Sequence, residues 1–296
     1  MKIIEVIDKI RDFHGKQEHS RFDRILYGDA ERECTGIAVT CCGTVEVIQK
    51  AFEAGANLLI VHENIFYTST DDDSFVQNVA LVEEKKKLLE KTGIVIWRDH
   101  DHMHGGGPGG KPNDPGGRPD FAHFDPHKNQ GPREKTDYIY YGIMKMLGWE
   151  PYLQGDIKKP LLYEIPETTI PELCRFLMER FDLNGVRVVG KSDGKVRRVF
   201  ICEHVSDRHD ESLYSRMDEL NADVFLPLEI VDWTLSEYVR DAVALGQNKA
   251  ILELGHFNFE EPGMRYMAEE WLPKLIGTDI PVSFIQSGDS FSYFVR

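Results

Sequence analysis

The chain has 296 residues, is 41% hydrophobic and carries a formal charge of −15 at neutral pH. That length gives a soft prior of about two domains, with ample apolar material for packed cores. The acidic balance argues against sequence-independent nucleic-acid binding, which needs a positive footprint, and against an anionic membrane surface.

No run is long and apolar enough to span a bilayer. Residues Met1 to Asp8 mix charge with apolar side chains and lack the apolar core of a signal peptide. The five cysteines are an odd number and form no Cys-x-x-Cys pair, so a zinc ribbon and a thioredoxin-like motif are both absent. Reduced thiols in a cytoplasmic protein is the expectation.

Apolar spacing predicts a helix over Ile3–Phe13 and a strand over Gly36–Thr40. Thr44 is placed to cap a helix with Val45, Val47, Ile48, Ala51 and Phe52 on its apolar face, ending at Gly55. A strand from Asn57 then stops on His62. A second amphipathic helix is expected over Val76–Lys91. The strand Ile94–Trp97 follows and leads into His100-Asp101-His102-Met103-His104. Residues 105 to 134 are nearly half glycine and proline, and so hold neither a helix nor a central strand. A stretch of that length is a surface insert or a lid springing from the histidine cluster.

A second series follows. Helices are expected over Tyr138–Leu147, closed by Gly148, and over Ile170–Phe181, introduced by Thr168, Thr169 and Pro171. Strands are expected over Val186–Val189, Val199–Cys202 and Val224–Pro227, ending near His204 and Glu229. A helix over Leu235–Leu245 stops at Gly246. The strand Ala250–Leu254 reaches His256, and a last helix is expected to begin near Pro262. Val282–Ile285 and Phe291–Val295 read as strands. The alternation implies an α/β fold, with two related α/β domains at 1–134 and 135–296. Their sheets should be mixed, mostly parallel and flanked by helices.

Three apolar runs therefore end on histidine, at His62, at His100 and at His256. Side chains at the carboxyl ends of parallel strands converge on one crevice, and imidazole with carboxylate suits zinc, iron or manganese. His62-Glu63 is not a zincin helix, because Phe66 stands where the second histidine is needed. In an extended chain His100, His102 and His104 would point together, with Asp101 turned away. His256 and Glu260 would share one helical face, but Pro262 places the helix start later and leaves His256 at the strand end. His204, Glu229 and Asp232 occupy comparable strand-end positions. His14, His19, His123, His127 and His209 have no supporting context.

On these residues the chain resembles the Nif-three-like proteins, also called the type-2 GTP cyclohydrolase I family or dinuclear metal-centre hexameric proteins. The resemblance spans nearly the whole chain. It is carried by Gly36-Ile37-Ala38-Val39-Thr40 through Gly55-Ala56-Asn57-Leu58-Leu59-Ile60-Val61-His62, and by Leu254-Gly255-His256 with Glu260 and Gly263-Met264. Leu147-Gly148 and Ala222-Asp223-Val224 through Glu229 fall where the family has similar segments.

The resemblance implies two divalent metal ions per subunit at the domain junction, a ring-like homohexamer, and a C-terminal part from about 250 that returns to the metal site. It carries His62, His256 and Glu260 over as ligands. Glu63 stands where the family has a second histidine. His100 with His104 fits the family's spacing, with histidine in place of the ligand aspartate and Asp101 as the alternative carboxylate.

The implied activity is that of a metal-dependent hydrolase on a small, nucleotide-like substrate, with Glu63, Asp101 or Glu229 moving the proton. A non-catalytic metal-handling or regulatory protein is the alternative, since binding and catalysis use the same ligands.

Overall fold

The computed structural model describes residues 1–15, 22–68, 73–106, 135–205, 211–277 and 279–295. Most of the glycine- and proline-rich stretch 105–134 lies outside these residues, as do His19, His123, His127 and His209. The chain divides into two compact units. One holds the described residues of Met1–Pro119 with Lys135–Gly142 and Gly263–Ser287; the other holds those of Ile143–Pro262 and Gly288–Arg296. The strand series thus returns late in the chain to the first unit.

The first unit is built on a five-stranded mixed sheet, ordered β1-β4-β3-β2-β10. Its strands are β1 (Ile25–Tyr27), β2 (Ile37–Thr40), β3 (Leu58–Val61), β4 (Val95–Arg98) and β10 (Val282–Phe284). β10, β2, β3 and β4 run parallel and β1 is antiparallel to β4. Every residue of β2, β3 and β4 is buried, which is why they read as unbroken apolar runs instead of alternating patterns.

Helices α2 (Val45–Glu53) and α3 (Ala80–Thr92) cover one face. There Val47, Ile48, Ala51, Val82 and Leu89 pack with Ala38, Leu59, Val61 and Ile96 of the strands. The strand parity that sends Leu59 and Val61 into this core sends Leu58 and Ile60 to the opposite face. Thr44 caps α2 as expected, accepting the Val47 amide at 3.2 Å. Helix α1 (Ile3–Phe13) has the expected bounds, and its Ile3, Val6, Ile7 and Ile10 are buried.

One residue of α3 breaks the apolar pattern. Lys85 is 2% exposed, and its Nζ donates to the Ile65 carbonyl at 2.7 Å. Burial pushes its ammonium pKa down to about 8 from 10.5. The unfolded chain therefore binds the extra proton between those values, and the contribution of this lysine to stability rises with pH across that window, while the raised imidazoles described below contribute in the opposite sense. The gain is on the order of 3 kcal/mol. Relative to Lys85→Met, the wild type is expected to gain stability between pH 7.5 and pH 10, and chemical denaturation of both proteins at the two pH values measures that difference.

The second unit also has a five-stranded mixed sheet, ordered β5-β7-β8-β9-β6. Its strands are β5 (Leu162–Thr169), β6 (Arg187–Gly190), β7 (Lys195–Val205), β8 (Val224–Ile230) and β9 (Ala250–Glu253). The central β7, β8 and β9 are parallel, while β5 and β6 are antiparallel at the edges. Helix α5 (Ile170–Phe181) opens with a reciprocal capping box between Thr169 and Glu172, satisfying two amides that a helix start leaves open. Helices α6 (Glu211–Leu220) and α7 (Leu235–Ala244) connect the parallel strands. Helix α4 (Tyr138–Leu147) ends at Gly148 with φ of 69°, as the sequence implied.

Several expectations are corrected. β1, β5 and α6 were not foreseen; β1 spans only three residues, and Pro166 interrupts β5. Residues 291–295 form no strand. The last long helix, α8 (His256–Tyr266), begins six residues before Pro262 and runs through it. Gly255, at φ of 95°, turns the chain out of β9. The Phe259 amide then donates to the Gly255 carbonyl at 3.0 Å, closing the first helical turn. Helix α9 (Leu272–Ile276) follows a π-helical turn over Met267–Trp271. No helix among the described residues is long and apolar enough to cross a membrane.

Candidate functional site

In the first unit, His62 follows β3 and His100 follows β4. Residues 100–105 do not continue as extended chain. The His104 amide donates to the His100 carbonyl at 3.1 Å, so the segment coils into a turn. That coil overturns the expectation that His100, His102 and His104 point together. Four-residue spacing puts His100 and His104 on one side and sends His102 to the other. The ligand nitrogens of His62, His100 and His104 then lie within 4.8 Å of one another.

Each ring has one nitrogen occupied by an oxygen. His62 Nδ1 lies 3.1 Å from the Asp99 carbonyl, which only accepts, so Nδ1 carries the proton and Nε2 the lone pair. His104 Nδ1 lies 3.2 Å from the Asp137 carboxylate, and His100 Nδ1 lies 3.0 Å from Asp101. Those carboxylates likewise accept, so Nδ1 carries a proton in both rings, and in the neutral form Nε2 carries the lone pair. His62 Nε2 and His104 Nε2 face each other at 3.2 Å. Two imidazole lone pairs at that separation repel in the neutral rings. It is also the separation that two ligand nitrogens have when each lies about 2.0–2.1 Å from a shared zinc ion. Carboxylate or carbonyl oxygens on the far nitrogens are the usual partners of metal-bound histidine. The donor set therefore fits a divalent transition metal.

Glu63 pairs with Arg98, whose Nη2 donates to it at 2.9 Å while Nε donates to the His62 carbonyl at 2.8 Å, and a Glu63 oxygen also lies within 4.8 Å of a His62 ligand nitrogen. Asp101 is engaged with His100. Asp137, which sequence reading missed, is 1% exposed. It precedes α4 and also accepts the Tyr140 amide at 3.2 Å. An aspartate just before an apolar helix signals a cap, but nothing local signalled His104 across a 33-residue gap.

On the other side of the turn, His102 Nδ1 lies 2.8 Å from Asp23 and 3.2 Å from Asp99. Burial pushes this imidazole down, but hydrogen bonds to Asp23 and Asp99 prevail and raise it to about 9. Burial pushes Asp99 up, yet His102 and His14 hold it well below the usual carboxylate range. His14, which had no sequence context, sits at the end of α1 with Nε2 3.6 Å from Asp99.

In the second unit His204, Glu229 and His256 also group within ligand distance. Glu229 is engaged by both rings, with His256 Nδ1 at 2.6 Å and His204 Nδ1 at 2.7 Å. β7 carries a bulge before His204, where Glu203 takes φ of 59°. Such bulges re-aim a strand's side chains. His256 opens α8, so the helical-face relation to Glu260 holds after all, with His256 Nε2 at 3.2 Å from Glu260.

Burial pushes Glu229 up, but its two histidine hydrogen bonds dominate and hold it at about 2. Burial pushes His256 down, whereas Glu229 and Glu260 raise it to about 11. His256 Nε2 and Glu260 thus face each other as an ion pair whose two atoms are both of the kind that ligate a divalent cation.

The family model described as Duf34/NIF3 (NGG1p interacting factor 3) matches residues 133–289. A Clostridium perfringens protein named GTP cyclohydrolase 1 type 2 homolog is 23% identical over 304 residues, covering 98% of this chain and 97% of that protein. A hypothetical protein of Staphylococcus aureus has a similar fold, at a TM-score of 0.63 and 16% identity over 99% of both chains. A Bacillus cereus protein related to NIF3 superposes at a TM-score of 0.61, with 14% identity over 99% of both chains.

Proposed function

The chain belongs to the Duf34/NIF3 family, and from that premise we propose that it binds divalent metal and acts as a metal-dependent hydrolase. The ligands are His62, His100 and His104 in the first unit and His256 and Glu260 in the second. The facing Nε2 atoms of His62 and His104, 3.2 Å apart with both Nδ1 atoms held by oxygen acceptors, carry the reading. The resemblance to the dinuclear family suggests two ions per subunit and a homohexamer. The name of the Clostridium perfringens relative points to small, nucleotide-like substrates.

Bound metal supplies Lewis acidity for hydrolysis. The residues do the rest of the work. Asp137, Asp101 and the Asp99 carbonyl fix three rings in the tautomer that offers Nε2. Glu229, held at about 2, is a poor proton acceptor near neutrality and a good orienting partner for His256. Glu63, paired with Arg98 beside His62, is the carboxylate we assign to proton transfer.

Elemental analysis of protein purified without chelator tests the reading, with about two zinc, iron or manganese ions per subunit expected. Fewer than one transition metal per subunit overturns it. A hydrolase screen with the metal found then separates catalysis from metal handling. Turnover that Glu63→Gln abolishes at unchanged metal content supports the enzyme. Full metal content with no turnover on any phosphate ester, nucleotide or amide favours the metal-handling alternative.

A further inference from the structure

The turn that carries His100 and His104 is gathered on one buried carboxylate. Asp23 lies just before β1. The antiparallel pairing of Ile25 with Trp97, continued by the Arg98 amide donating to the Arg24 carbonyl at 2.9 Å, brings Asp23 to the end of β4. Its side chain is fully buried. Oδ1 accepts the His100 amide at 2.5 Å and the Asp101 amide at 2.9 Å. Oδ2 accepts the His102 amide at 2.9 Å and lies 2.8 Å from His102 Nδ1.

Three successive amides converging on one anion form the concave backbone arrangement that binds anions elsewhere. Both Asp23 oxygens are engaged, so the cluster of Asp23, Asp99 and His102 forms a hydrogen-bonding hub. The hub reaches all three candidate ligands. The held backbone sets where His100 and His104 start. The anchored His102 ring ties down Asp99, whose carbonyl holds His62 Nδ1 at 3.1 Å.

We propose that Asp23 is a positioning residue whose carboxylate clamps the 100–102 backbone and so sets the spacing of His62, His100 and His104. This rests on the metal-binding reading for its functional meaning. Without the clamp, three amides, that of His102 buried and the other two partly buried, lose their acceptor and the turn must rearrange to find water.

The test uses the full chain and zinc as the probe. In Asp23→Ala, zinc Kd by chelator competition is expected to rise about 10–100-fold, the range for losing a partner that orients ligands. Asp23→Asn keeps one acceptor oxygen for the His100 and Asp101 amides and is expected to fall between the two. With cobalt in place of zinc, the absorption band shape is expected to change in Asp23→Ala, a response that loss of stability alone does not produce.

Amide hydrogen exchange at residues 100–102 supplies the arm that needs no metal. Protection is expected in the wild type and loss in Asp23→Ala, with Asp23→Asn partly protected. Unchanged protection in both variants overturns the clamp. So does lost protection with unchanged zinc affinity, because the turn would then not set the ligands. A wild type that binds no zinc overturns the metal reading instead, and the exchange result still decides the clamp.

Discussion

His104→Ala is expected to abolish most of the zinc binding proposed for the first unit. The loss should exceed the roughly 10–100-fold weakening that follows removal of an orienting partner, because the substitution deletes a donor atom itself. The geometry gives a graded series. His104 Nε2 faces His62 Nε2 at 3.2 Å, so its loss leaves His62 and His100 with one fewer nitrogen. Asp137→Ala keeps the donor but frees the ring from the carboxylate 3.2 Å away. It also removes a cap from the Tyr140 amide, a change costing about 1 kcal/mol of stability. Asp137→Ala should therefore weaken zinc binding less than His104→Ala while lowering the melting temperature more. Chelator competition and thermal denaturation on the same preparations measure the two trends. If Asp137→Ala matched or exceeded His104→Ala in lost affinity, His104 would not be a ligand.

What the sequence revealed about this site follows from which signals are local. Strand ends were legible, because β2, β3, β4, β8 and β9 are fully or mostly buried runs of apolar residues and announce their own length. His62, His100 and His256 were found that way. The four-residue spacing of His100 to His104 was visible too, but its meaning needed the backbone between them. Read as extended chain, it groups His102 with the wrong partners; coiled onto Asp23, it sends His102 into the core. That coil depends on a carboxylate 77 residues earlier, and no periodicity reports a contact at that distance.

The start of α8 failed for the opposite reason. Pro262 is a strong local signal, and tertiary packing overrode it: a single missing amide within an 11-residue helix is tolerated when Phe259 and Met264 are buried along it. Edge strand β1 was lost because it has only three residues, and β5 because Pro166 interrupts its apolar alternation. His14 and Asp99 were unreadable because only the fold brings α1 to the end of β4.

Gly263→Ala is expected to destabilise the first unit although alanine is the better helix former. Two effects oppose each other. Within a helix, alanine gains about 1 kcal/mol over glycine through backbone entropy and solvation. Against this, a Cβ at position 263 would lie 2.6 Å from the Ile139 Cα and 2.9 Å from its carbonyl oxygen. Those are backbone atoms of α4, so no rotamer change relieves the overlap and the two helices must separate. Overpacking of that kind costs about 1–3 kcal/mol, occasionally more, and the close backbone approach places this site at the upper end. The net loss is therefore about 1–2 kcal/mol, or a few degrees in Tm at this chain length.

The facing position sharpens the test. A Cβ at Gly142 would meet the Gly263 Cα at 2.8 Å and the Tyr266 Cβ at 2.9 Å, so the two glycines line one crossing. Once either substitution has forced the helices apart, the second finds part of its space already open. The Gly142→Ala/Gly263→Ala double variant should then lose less than the two single losses added together, as expected for residues sharing one contact. Additive losses in denaturant unfolding would mean that the glycines act separately and that the crossing does not depend on their joint absence of side chains.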